Sequence, residues 1–125
     1  MGIEERQQQR EIDGVVYIVN PLPFGIGKTA LLRFTKVAAP VLSSAIEGGA
    51  KAIAAIASGL NEDDLTYFAK TFGNASWFVK DGKNVPLVYA NQDAHFEARY
   101  MAFFEWLAFC VEVRFGPFFE GLMSR

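Results

Sequence analysis

Gly27, Lys28 and Thr29 are the residues of this chain that most directly suggest chemistry. The same three letters close a phosphate-binding loop of the form G-x-x-x-x-G-K-[ST]. In such a loop the first glycine makes a tight turn, successive backbone N–H groups cradle phosphate, and the lysine reaches the outer phosphates. Counting back five from Gly27 puts Leu22 where the first glycine belongs and Pro23 inside the cradle. Proline has no N–H to offer a phosphate and fixes its own φ. The half of the motif that holds phosphate is missing. "NPLPFGIGKTALLRF" therefore reads as a Pro/Gly turn that delivers the chain into a helix.

The other reactive side chains are few. His95 is the single histidine, close to the start of an apolar helical segment, and is read as a hydrogen-bonding partner for a neighbouring loop. Cys110 is the single cysteine and lies inside an apolar run, as a buried thiol would. Fifteen residues of helix separate the two, or about 22 Å at 1.5 Å per residue, so they form no Cys–His pair along it. One His and one Cys cannot supply a zinc site in a monomer. "NEDD" at Asn61–Asp64 lacks the following Gly and Glu of a calcium loop, and helix capping accounts for it better. No G-x-S-x-G nominates a nucleophile. The reading is of a protein that is not an enzyme, with no catalytic residues, no cofactor and no metal.

Stepping from side chains to chain, 125 residues suit one domain, 1–125, with a polar and flexible start over 1–10. The net charge of −2 gives no basic footprint for nucleic acid. The opening "MGIEERQQQREIDG" is too charged for a signal peptide, and Arg6 stands where a myristoylation motif wants Ser or Thr. From Tyr100 to Val111 only Glu105 is polar, but this run is shorter than the roughly 20 apolar residues a membrane span needs.

The elements that would position these residues are mostly helical. Asp13-Gly14 before Val15–Val19 predicts an N-terminal β-hairpin, and Asp81-Gly82 between Trp77–Val79 and Val85–Val88 predicts a second, with Pro86 confining its arm to an edge. From Gly27 onward, apolar residues between Leu31 and Ala45 recur at helical spacing, with a kink or break expected near Ala39 from Pro40. Gly48-Gly49 ends that segment, and "AKAIAAIAS" forms a short helix stopped by Gly59. Asn61 caps a helix whose stripe is Leu65, Phe68, Ala69 and Phe72, with Gly73 as its C-terminal cap. One long helix is expected from about Gln92 to Arg114, apolar almost all round and therefore the hub of the fold. Gly116-Pro117 should break it. The fold class is α+β, predominantly α-helical, with one or two small hairpins beside a helical bundle.

Twelve Phe and an apolar content of 51% exceed what a core of this size ordinarily uses. They indicate either a dense core or an apolar face awaiting a partner. At this point the order of the pieces resembles the bacteriophage tail assembly chaperones. The resemblance is carried by "DGVVYIV", the "PLPFG" turn, "LLRFTKVAAPVLSS", "NEDDL", "DGK" and "HFEARYMAFFEWLAFCVEVRFGPFFEGL". Arg114 stands where relatives often carry Asn, a mild departure. The resemblance implies a non-catalytic helper in the host cell cytoplasm that binds the tape measure protein and keeps it soluble while tail tube subunits polymerise around it. It also implies absence from the mature virion, and a longer frameshifted form that recruits the tail tube protein. No nucleic acid or membrane partner is expected, and a homo-oligomer is left open. A structural tail-completion protein of the virion and a small phage regulatory protein binding a host protein are the alternatives. The expected client surface is the C-terminal "FGPFFEGLM", with Phe115, Phe118, Phe119, Leu122 and Met123 needing cover once Gly116-Pro117 has ended the helix.

One test follows from the missing cradle. Mg-ATP and Mg-GTP should leave the melting temperature unchanged, since a ligand that binds the folded state raises it. A shift of several degrees would restore Gly27–Thr29 as a phosphate site.

Overall fold

The computed structural model describes residues 8–38 and 60–123, with side chains to residue 118. Two Asp-Gly turns organise its sheet. Asp13 and Gly14 have φ of 51° and 79°, and Asp81 and Gly82 have 53° and 76°. Positive φ at both central residues is the type I′ geometry that matches the twist of flanking strands. The first turn joins β1 (Gln8–Ile12) to β2 (Val15–Val19) and the second joins β3 (Ser76–Lys80) to β4 (Lys83–Pro86). The two hairpins are not separate. β2 pairs antiparallel with β3, Tyr17 opposite Phe78, giving one four-stranded sheet in the order β1-β2-β3-β4. Pro86 ends an edge strand, as its missing N–H requires. Gln8, Gln9 and Arg10, read as part of a flexible start, are laddered to Val19, Ile18 and Tyr17. Arg10 also reaches Glu112 with two hydrogen bonds, at 3.1 and 3.2 Å.

Helix α1 (Phe24–Ala38) starts before the apolar pattern does. Pro23 precedes it, at the helix edge where an N–H is not needed. The Gly27 N–H donates to the Pro23 carbonyl at 2.8 Å, and Thr29 Oγ1 to the Gly25 carbonyl at 3.1 Å. The Gly-Lys-Thr letters are thus helix, and the helix begins at Phe24, ahead of the expected start at Gly27. The expected break at Ala39-Pro40 and the Ala/Ile helix after Gly48-Gly49 lie outside the described residues. Helix α2 (Glu62–Gly73) begins as expected, with the Asn61 side chain accepting from the Asp64 N–H at 2.8 Å. Its end differs. Asn74 is the C-cap, and Gly73 is buried helix. A Cβ on Gly73 would lie 2.5 Å from Gln92 Nε2 and 2.7 Å from the Leu87 carbonyl oxygen. The glycine serves a close approach, not a cap.

The long C-terminal helix expected from Gln92 to Arg114 is two helices. α3 (Tyr89–Phe96) and α4 (Tyr100–Met123) meet at an elbow where Ala98 has a φ of 60°. The Arg99 N–H bonds back to the Phe96 carbonyl at 2.9 Å, and the Arg99 guanidinium reaches the Asp13 carboxylate at 3.1 Å. Contacts to the first hairpin turn therefore select a conformation that Ala alone would avoid. Proline 117 also fails to end α4. Its fixed φ is helical, so its penalty is one lost hydrogen bond and a crowded carbonyl, about 3 kcal/mol. Packing two residues earlier offsets this, where Phe115 is buried against Phe34 and Phe72 at centroid distances of 6.2 and 5.7 Å.

α4 is the hub that the sequence predicted. Every residue from Trp106 to Val111 is buried. Phe34 of α1, Phe68 and Phe72 of α2, and Phe115 form one aromatic cluster on it. Tyr17, Phe96 and Trp106 form a second, with Tyr17 stacked on Phe96 at 6.3 Å. α3 is fixed to the sheet by His95, whose ring lies 3.9 Å from that of Phe78 and whose Nε2 is 2.7 Å from the Tyr17 hydroxyl. The partner is thus a strand residue, not a loop. Burial, then the nearby charges of Arg99 and Lys80, lower the His95 pKa to about 4. Among the described residues no helix is long and apolar enough to cross a membrane.

Two measurements check this packing. Gly73→Ala should lower stability by about 1–3 kcal/mol by overpacking, against its helix-propensity gain. Ala98→Gly should raise it by about 1 kcal/mol, because glycine accepts positive φ without penalty. Urea denaturation of the two variants would reverse the elbow and close-approach assignments if both signs came out opposite. The second measurement concerns pH. The folded chain resists protonating His95 while the unfolded chain takes the proton near pH 6.5, so stability should fall as pH drops from about 6.5 toward 4. After discounting for the partly exposed ring, the loss between pH 7 and 5 should be about 1 kcal/mol. His95→Gln should flatten that slope in urea titrations.

Candidate functional site

Among the described residues, Ser76, Cys110 and His95 are held in structural contacts. The Ser76 hydroxyl, 1% exposed, donates to the Phe72 carbonyl at 2.8 Å, accepts from Trp106 Nε1 at 3.3 Å and lies 3.8 Å from Cys110 Sγ. None of these neighbours is a base that could activate it. Burial raises the Cys110 pKa well above its ordinary value, which keeps the thiol neutral and unreactive. His95 is neutral and paired with Tyr17. Among the described residues no group of three His, Cys, Asp or Glu side chains could hold a metal ion.

Of the residues nominated for partner binding, Phe115 and Phe118 have described side chains. Phe115 is core, 4% exposed. Phe118 is 45% exposed, on the α4 turn that continues through Pro117. The side chains of Phe119, Leu122 and Met123 lie outside the described residues. The premise for grouping them was a helix end at Gly116-Pro117, and α4 has no end there.

A concave apolar surface is found elsewhere, between α2 and the elbow of α3 and α4. It is a groove of about 660 Å³. One wall is the α2 row Leu65 and Ala69, four residues apart and so on one helix face. The other wall is Tyr89 and Phe96 of α3 with Tyr100, Phe103 and Phe104 from the first turns of α4. Ala69 and Phe96 are buried and make its floor, while Leu65, Phe103 and Phe104 are half-buried along its sides. Tyr100 is 75% exposed and Tyr89 45%. Met101, beside Tyr100 in the chain, is 64% exposed.

Local structure explains how the groove is held open. Gln92, buried on α3, donates through Nε2 to the Ala69 carbonyl at 2.9 Å and the Leu87 carbonyl at 3.0 Å. This ties α3 to α2 at the groove floor. The elbow then turns α4 so that its first aromatic residues face α2 instead of continuing along α3. Sequence reasoning missed this site. It registered the excess of aromatic residues, but "HFEARY" contains no Gly, Pro or Asn to announce a turn. The α1 surface also exposes apolar side chains, Phe24 at 81% and Leu32 at 62%, but alternating on one row with Lys28 and Lys36. Lysine stems cover such a row in part, and the Lys28 ammonium lies 5.6 Å from the Phe24 ring.

In comparisons with known proteins, the family model described as phage tail assembly chaperone protein, TAC, matches residues 13–124. No curated protein and no solved structure matches.

Proposed function

The chain belongs to the phage tail assembly chaperone family, and from that premise we propose that it binds an amphipathic helical segment of the tape measure protein in the groove between α2 and the α3–α4 elbow. There it keeps this client soluble while tail tube subunits polymerise around it. The work is done in the host cytoplasm, and the chaperone leaves before the virion is complete. The observation that carries the reading is the groove itself. Its wall residues Tyr89 and Tyr100 are exposed and lie outside the core cluster, and helix-in-groove recognition uses such a concave apolar surface with anchors spaced at i, i+3 or i+4. A long helical client exposes apolar stripes before its tube exists. Shielding them needs reversible burial and no bond chemistry.

The test is co-expression of the tape measure protein with wild type and with Tyr89→Ser/Tyr100→Ser. Both tyrosines are exposed, so the variant should keep its circular dichroism and nearly its melting temperature. The soluble fraction of the client should fall several-fold with the variant. Equal solubility would move the site elsewhere, and a parallel Phe118→Ser variant shows whether it moves to the C-terminal turn of α4. A wild type that gives no solubility would end the tape measure reading itself.

A further inference from the structure

We infer that the groove selects a helix whose apolar row is flanked by lysine or arginine side chains; this rests on the client-binding reading above and adds the chemistry of the partner. The charged residues lining the groove are Asp93 and Glu97, and no Lys or Arg lines it. Glu62 lies one helical turn before Leu65 and Thr66, so its carboxylate extends the same α2 face. All three are exposed.

Their electrostatic setting separates them from the three acidic groups held in described ion pairs, and their place on the groove separates them from Glu11, Asp63, Asp81 and Glu105. Asp13, Asp64 and Glu112 are each held by an arginine within the chain. Asp93, Glu97 and Glu62 take part in none of the described ion pairs. Asp93, in the last turn of α3, and Glu97, at its C-cap, both line the groove with like charge. They also sit toward the C-terminal end of α3, where the helix dipole disfavours negative charge. The His95 ring on the same turn is neutral and adds no compensating charge, while Arg99 across the elbow is engaged with Asp13. The nearby Lys70 ammonium lies over the Tyr89 ring at 5.1 Å. The free protein therefore carries uncompensated negative charge beside an exposed apolar groove, at a helix end that disfavours it, and a cationic partner would relieve it.

The geometry suits such a partner. A helix laid along Leu65 and Phe104 would send its flanking long side chains outward, over the exposed ring of Tyr100. Cations are attracted to aromatic faces, and the Asp93 and Glu97 carboxylates stand just beyond that ring. Acid-flanked or uncharged helices would gain the apolar contacts without the ion pairs.

Two synthetic helical peptides with the same apolar row, one flanked by lysines and one by glutamates, distinguish these cases by fluorescence anisotropy with the full chain. The lysine peptide should bind about tenfold tighter or more at low salt, and its advantage should shrink at about 0.5 M salt as the exposed pairs are screened. Asp93→Asn/Glu97→Gln should lose most of that advantage and melt no lower than wild type. Glu11→Gln/Asp81→Asn removes the same charge from the hairpins and should keep it. Equal affinity of the two peptides overturns the inference, as does an equal loss in both double variants or a lower melting temperature for Asp93→Asn/Glu97→Gln. If the peptides bind equally and Tyr89→Ser/Tyr100→Ser weakens both, the groove stands and only its charge preference falls. If the tyrosine variant binds the lysine peptide as wild type does, the groove falls with it.

Discussion

The Ser76 hydroxyl holds together three elements that are far apart in sequence. It donates to the carbonyl of Phe72 at the end of α2, accepts from the indole of Trp106 on α4, and lies against the Cys110 thiol one turn further on. Ser76 itself is the first residue of β3, and its carbonyl takes the Leu87 N–H at 3.0 Å where the chain leaves β4. An indole N–H buried without a partner would cost about 1–3 kcal/mol, so the large apolar surface of Trp106 can enter the core only where this hydroxyl meets it. The position of α4 against α2 and the sheet follows from that junction. With α4 fixed, the aromatic residues of α1 and α2 have a surface to cluster on.

The groove is a consequence of the same arrangement. α2 approaches the start of α3 closely because Gly73 has no side chain, and Gln92 turns that approach into two hydrogen bonds. α4 cannot continue along α3, because its core-facing residues belong at the Ser76 junction. The chain resolves the conflict at Ala98, in a conformation that costs a non-glycine residue about 1 kcal/mol. Arg99, bound to the first hairpin turn, holds the elbow in place. What results is a cleft whose walls are aromatic and whose rim is acidic.

Local signals explain which parts of the chain were legible. Asp-Gly turns, the Asn61 cap and the apolar character of the last third act within a few residues of one another, and each was readable from those residues alone. The family resemblance was equally sequential, carried by the order of short motifs. Both Asp-Gly turns, the edge position of Pro86 and the hub role of the Trp106 segment are present in the structure. The misreadings at Gly73, Ala98 and Pro117 share one cause. Each residue was given its usual local meaning of cap, helix former or breaker, and in each case a distant contact outweighed a local preference of a few kcal/mol or less.

By itself, then, the sequence determined the element types, the shortage of reactive groups and the kinship of the chain, because these depend on residue identity and short spacing. Only the tertiary structure decided that two hairpins share one sheet, that one long apolar segment bends into two helices, and which aromatic residues are left outside the core. An exposed Tyr100 and a buried Trp106 differ little in local pattern. They are separated by which neighbours arrive from β3, α2 and the first hairpin turn, and those neighbours are set by contacts across the whole chain.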